Sequence, residues 1–343
     1  MSPRDIDYDV YWAKHCARYY GWLPASKAHK KNIQRAPKYF TLCGSKAIDL
    51  FMLEFEKVLE RDKNRKLPNV IVCEDNEEAW TEILDLVRPP VKEAIILGRL
   101  QDILTFEDDE NTKGRSPDDD EPSFEIRKKL IIKGSFEQLQ KHFPFDIVNF
   151  DPCESLLDTN LEVNGLYQAF NRILELQKSI DSFLFFITTE ITPIHPDVQS
   201  RFKTDLESNI SMYPKIGKTL SSLAHATAYD MIENNKRVAL GFAKSVVLSA
   251  ARSKGWNCEH QGIYIYEFKR PGGTRMLSSV VKFSKAHNTP DEATYIQDLI
   301  KIIKHMPKYY SYDEASKNEE VKNHLQKVKE YREKVRKEHI QEL

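Results

Sequence analysis

Between residues 38 and 191 the chain alternates two hydrophobic periods, and that alternation leaves few folds open to it. KYFTLCG (38–44) has the apolar, β-branched composition of a strand. KAIDLFMLEFEKVLERD (46–62) follows, with Ile48, Phe51, Phe55 and Leu59 close to helical spacing. NVIVCEDN (69–76) is a second strand pattern, apolar enough to require cover on both faces. EEAWTEILDLV (77–87) is the next helix, closed by Pro89-Pro90, and VKEAIILG (91–98) the third strand. FEQLQKHFP (136–144) leads as a short helix into FDIVNFD (145–151). GLYQAFNRILELQKS (165–179) is then a helix and SFLFFITTEI (182–191) a strongly apolar strand. A mostly helical stretch over 196–235 and a long helix over 237–255 come next. CEHQGIYIYEF (258–268) and TRMLSSVVKF (274–283) flank RPGG, which predicts a tight turn and an antiparallel pair.

Repeated strand–helix crossovers imply a largely parallel sheet with helices on both faces. The expected fold class is therefore α/β, a Rossmann-like, mostly parallel seven-stranded sheet with a terminal antiparallel hairpin and helical additions. Three regions follow: an aromatic and basic arm (1–36), the α/β domain (37–285) and a charged helical extension (286–343). In the arm, YWAKHCARYYGWL reads as a short helix, with a turn near Pro24 and a basic connector carrying Lys27, Lys30, Lys31 and Arg35. These cations suit either solvent or a polyanion. Residues 107–125 hold nine acids against two bases and read as a flexible insertion, since they cannot bury enough apolar surface to order themselves. Residues 196–235 form a helical insertion. The extension has a thin apolar line at Val321, Leu325, Val328, Tyr331 and Val335, open to packing on the domain, to a second subunit or to solvation.

The 343 residues carry 51 basic and 52 acidic side chains, so no dominant field points to nucleic acid. The five cysteines are scattered, which predicts reduced, mostly buried thiols. No signal-type segment and no run of 18 apolar residues occurs. The expectation is a cytoplasmic protein without a membrane partner. HExxH, CxxC and a Walker-type loop are absent, so no metal site and no ATPase of that kind is expected.

In an open α/β sheet, ligands bind beyond the carboxyl ends of the strands. The first predicted strand ends in Cys43-Gly44-Ser45. Gly44 admits close approach to the backbone, and Ser45 suits a helix cap. The second ends in Glu74-Asp75-Asn76, where an acid can accept ribose hydroxyls or cap the next helix. Asp102 follows the third and is either a partner for an adenine amino group or a surface acid. The fourth delivers Asn149, Asp151, Pro152, Cys153 and Glu154. Thr188-Thr189-Glu190 closes the fifth.

Over roughly residues 37–285 these segments resemble a class I S-adenosylmethionine-dependent methyltransferase. The resemblance implies that Gly44 and Ser45 wrap the amino acid part of S-adenosylmethionine, and that Glu74 or Asp75 holds its ribose. Asp102 then lies near the adenine, while Asp151 and Pro152 border the methyl group and the substrate. Asp151 or Glu154 would orient a substrate amine or guanidine for in-line transfer. The first motif carries one glycine here, and Cys153-Glu154 stands where base-directed members carry a proline and an aromatic ring. There is also similarity to bacterial methyltransferase-like partner proteins with Asp-Pro-Phe-Gly in the fourth motif. The leading expectation is a methyltransferase-like protein acting on nucleic acid. The alternatives are a non-catalytic Rossmann-like interaction or regulatory protein, and another enzyme using a nucleoside cofactor. Protein partners, or self-association through the C-terminal helices, remain open.

Overall fold

The computed structural model describes residues 11–42, 47–74, 83, 95–97, 139–152, 154–161, 164–191, 193–224, 237–286, 292–304 and 307–340. The acidic segment 107–125 and, apart from Ile83, the expected helix 77–87 lie outside them. The strands are β1 Tyr39–Thr41, β2 Val70–Glu74, β3 Ile95–Leu97, β4 Ile147–Phe150, β5 Ser182–Glu190, β6 Trp256–Glu267, β7 Arg275–Lys285 and β8 Lys308–Tyr310. The helices are α1 Trp12–Ala17, α2 Leu23–Ile33, α3 Ile48–Phe55, α4 Gly165–Leu176, α5 Pro196–Met212, α6 Pro214–Ala224, α7 Ser249–Ser253, α8 Glu292–Lys304, α9 Tyr312–Ser316 and α10 Glu319–Ile340. Arg18–Trp22 and Phe242–Leu248 are π-helical.

One sheet runs in the order β3-β2-β1-β4-β5-β7-β6-β8. The first five strands are parallel, and β7 runs antiparallel to both β5 and β6. The seven expected strands are thus present. The eighth, β8, pairs parallel with β6 inside the segment read as helical. Three residues are too few to show a period of two, although Tyr309 and Tyr310 have the composition for it. The chain steps from β1 to β2 and β3 in one direction, then returns to place β4 on the other side of β1. The sheet's topological switch point is therefore the β1/β4 boundary.

Alternation along the strands divides the core in two. Phe40, Val148, Phe150, Phe183, Phe185 and Ile187 face one layer, with Ala169, Phe170 and Ile173 of α4 and much of residues 239–251 packed on them. Asn164 caps α4, its side chain accepting the amide of Tyr167 at 3.0 Å. Tyr39, Ile147, Leu184 and Phe186 face the other layer, built from α1, α2, α3 and α10.

The arm contributes much of that second layer. The expected turn near Pro24 is not there: residues 12–33 form one helical stretch that switches to π geometry over Arg18–Trp22. Proline lacks an amide hydrogen, so the Tyr20 carbonyl, four residues earlier, has no helical donor from that position. The Tyr264 hydroxyl supplies one from the sheet at 3.2 Å. Gly21 allows this approach, because a Cβ there would sit 2.5 Å from the Tyr264 ring. Trp22 is fully buried, stacks on Phe186 with centroids 5.0 Å apart, and donates from Nε1 to Ser278 Oγ at 3.1 Å.

Of the three settings open to the C-terminal apolar line, packing on the domain is the one found. Val321, Leu325 and Val328 are buried, and the Tyr331 hydroxyl donates to Glu54 of α3 at 2.9 Å. The expected helix 46–62 is shorter than its pattern suggested. It ends at Phe55 because Lys57 turns left-handed (φ 59°), with Val58 N bonding Leu53 O and Lys57 N bonding Glu54 O. That is a Schellman cap with lysine where glycine is usual. A left-handed side-chain residue costs about 1–2 kcal/mol, and glycine's extra unfolded-state freedom returns about 0.4–1 kcal/mol of that. Lys57→Gly is therefore expected to stabilise the fold by roughly 0.5–1 kcal/mol. Urea denaturation with an unchanged or lower midpoint would contradict this.

Candidate functional site at the β1/β4 switch point

The residues that close β1 and β4 share one polar cluster. Thr41 and Asn149 lie opposite each other in the parallel register and project to the α3 side of the sheet. α3 starts just beyond β1 and places Asp49, in its first turn, above them. Asp49 is fully buried. Its Oδ2 accepts from the Tyr39 hydroxyl at 2.7 Å, the Thr41 hydroxyl at 2.6 Å and Asn149 Nδ2 at 3.0 Å. The other carboxylate oxygen, Oδ1, and the Asn149 Oδ1 are shielded from solvent and have no hydrogen-bond partner among the described residues. Buried acceptors of this kind cost roughly 1–3 kcal/mol each when left unmade. Two of them therefore stand at the point where a doubly wound sheet takes its ligand.

Asp151 follows β4 directly and is 5% exposed. Its Oδ2 lies 2.6 Å from Lys14 Nζ and 3.9 Å from an Arg18 terminal nitrogen. Lys14 and Arg18 are four residues apart, one helical turn, so both reach the same strand end. The guanidinium of Arg18 also lies 5.3 Å from the Trp22 ring, and Lys14 Nζ lies 5.9 Å from the Phe268 ring. The arm thus carries two cations into a nearly dry site, where breaking a pair leaves an uncompensated charge.

The chain after Asp151 is held against the end of β5. Glu190 N donates to Glu154 O at 3.2 Å, Ser155 Oγ to Glu190 O at 3.1 Å, and Leu156 N to Thr189 Oγ1 at 2.7 Å. Pro152 is half-buried and Glu154 is exposed. Burial, with Asp158 nearby, raises the Glu190 carboxyl above its ordinary range. Thr189 and Glu190 thus hold residues 154–156 against the end of β5.

Among the sequence-predicted site residues, Asp151, Pro152 and Glu154 lie together at the end of β4, and Glu74 closes β2, half-buried, two strands away. Gly44, Ser45, Asp75, Asp102 and Cys153 lie outside the described residues. Cys16, Cys73 and Cys258 are buried cysteines, and burial pushes the Cys16 thiol up to about 11. No cluster of three or more metal-ligating side chains occurs among the described residues. Lys14, Arg18 and Asp49 were not singled out from the sequence. A usable signal existed for each: two cations at helical spacing in an aromatic segment, and one acid in the otherwise apolar run AIDLFML.

A family model described as PP_RS20740-like matches residues 133–342, from just before β4 through α10. No curated protein and no solved structure was found to match the chain.

Proposed function

We propose that this chain, which belongs to the PP_RS20740-like family, is an S-adenosylmethionine-dependent methyltransferase-like protein that binds its cofactor beyond β1 and β4 and acts on nucleic acid. One observation carries the reading: Asp151-Pro152 ends the strand that borders the switch point, beside two buried acceptors without partners among the described residues. Those acceptors, Asp49 Oδ1 and Asn149 Oδ1, fit a ligand that brings hydrogen-bond donors, as the ammonium group of S-adenosylmethionine does. The antiparallel β7 beside the parallel strands also agrees with the resemblance. The cofactor would supply an electrophilic methyl group. Gly44 and Ser45 would border its amino acid part, Glu74 or Asp75 its ribose, and Asp102 its adenine. Asp151 would orient the substrate nucleophile, with Pro152 and Glu154 beside it.

A second reading has its own support. Asp151 is 2.6 Å from Lys14 with a side chain only 2% exposed, so the arm occupies the acid that a substrate would need. A non-catalytic interaction or regulatory protein would keep that pair closed.

Isothermal titration calorimetry with S-adenosylmethionine and its demethylated product tests the cofactor claim. Saturable binding is expected, weakened about tenfold or more in Glu74→Ala or Asp75→Ala, since a charge-assisted hydrogen bond contributes roughly 1.5–3 kcal/mol. No heat up to millimolar ligand would overturn it. Binding without transfer of a labelled methyl group to DNA, RNA or protein would favour the second reading.

A further inference from the structure

The arm and the turn after α3 enclose an open groove of about 430 Å³. It lies at the amino edge of the sheet, opposite the switch point. The chain leaves α2 there to enter β1, and α3 ends there before β2 begins. Among the described residues, Lys27, Lys30, Lys31, Arg35 and Lys57 line it, against Glu56 and Glu60. The spacing of Lys27, Lys30 and Lys31 puts all three on one face of α2, while Ser26 and His29 are buried.

Three of the five lining cations have acid partners, and Lys31 and Lys57 are exposed. Lys27 pairs with Glu56 at 2.5 Å, and Lys30 is bonded to Glu60 and to the Lys57 carbonyl. Glu56 also receives His324 at 2.8 Å. Burial raises the Glu56 carboxyl, but its bonds to Lys27 and His324 outweigh that and hold it low. Arg35 binds the buried Asp146 through both terminal nitrogens, at 2.6 and 2.8 Å. With both groove acids engaged, the exposed ammonium groups of Lys31 and Lys57 remain for a partner. The turn that continues from Glu60 adds Lys63 and Lys66, while its Arg61 pairs with Glu54 and its Arg65 with Glu338. Over residues 27–35 and 54–66 there are nine basic side chains and four acidic ones, in a chain that carries 51 basic and 52 acidic side chains in all. Charge is therefore concentrated at one edge.

We infer that this groove binds the phosphate backbone of a nucleic acid strand, independently of base identity. A concave basic channel tracks a linear polyanion. Among the described residues no aromatic ring lines the groove, so none of them stacks on a base. A bilayer is a poorer fit, because membrane-surface binding draws on apolar side chains beside the basic ones. The exposed large apolar residues among the described ones are Ile210 and Met212, on α5. The inference stands whether or not the opposite edge transfers a methyl group. The groove would hold a strand that reaches around the domain.

Fluorescence anisotropy with labelled single- and double-stranded DNA and RNA, without S-adenosylmethionine, tests it. Binding is expected with little dependence on base sequence. With about three to four phosphate contacts, affinity should fall roughly 20–150-fold between about 50 and 200 mM salt. Lys31→Glu with Lys57→Glu should weaken binding about tenfold or more, Lys31→Gln with Lys57→Gln less, and Lys203→Glu on α5 should leave it unchanged. Both groove lysines are exposed, so folding, checked by circular dichroism, should survive in every variant. Affinity unchanged in both groove variants, no binding at low salt, or preference for anionic phosphatidylserine vesicles over nucleic acid would overturn the assignment.

Discussion

Lys14→Met is expected to destabilise the protein by about 3–5 kcal/mol, the cost of leaving a buried charge without its partner. Lys14 Nζ and Asp151 Oδ2 are 2.6 Å apart, with side chains 8% and 2% exposed, so water cannot replace the lost cation. Arg18, at 3.9 Å, is too distant to take over fully. Lys14→Met with Asp151→Leu should recover part of the loss, because it removes two of the three buried charges and leaves Arg18. Urea unfolding of the wild type, the two single variants and the double variant gives the coupling directly. A Lys14→Met loss below about 1 kcal/mol would place the pair among exposed ion pairs of little consequence. The same cycle bears on function. A strong coupling means that a substrate reaching Asp151 must displace the arm or use Lys14 in place.

Trp22→Ala is the second large effect, also about 3–5 kcal/mol. The indole is 1% exposed, lies nearly parallel to Phe186 and donates to Ser278. Truncation would open a cavity between arm and sheet and leave Ser278 without that donor. Trp22→Phe should lose much less, since it keeps a ring on Phe186 and gives up mainly the hydrogen bond, about 1 kcal/mol. If Trp22→Ala unfolds with the wild-type midpoint, the arm does not belong to the cooperative core.

Much of the sheet was legible in the sequence. FDIVNFD and SFLFFITTE are buried on both faces, so their runs of apolar residues announced β4 and β5. The turn RPGG marked the β6–β7 pair. The arm was harder to read, because Pro24 looked like a breaker. Its missing hydrogen bond is made good by Tyr264, which lies far along the chain and leaves no local trace. β8 was too short to have a period. At the site, Asp151 and Pro152 were visible because they end a recognisable strand. Lys14 and Arg18 were not, since a buried ion pair between distant segments is set by how the arm lies across the sheet. Asp49 was masked by its apolar neighbours: a periodicity reading treats one acid in a helix as a solvent-facing residue, whereas this one faces the strand ends. The basic connector was seen as a polyanion candidate, but the acids that share its groove come from the turn after α3, whose left-handed Lys57 the helical pattern did not anticipate.

The placement of the ligand site is open to one direct measurement. Hydrogen–deuterium exchange on the intact chain, read by mass spectrometry with and without saturating S-adenosylmethionine, should show added protection at the ends of β1 and β4, residues 41–42 and 149–152, and in the first turn of α3. Exchange there that is unchanged under conditions where calorimetry detects binding would put the ligand elsewhere and contradict a cofactor site at the β1/β4 switch point.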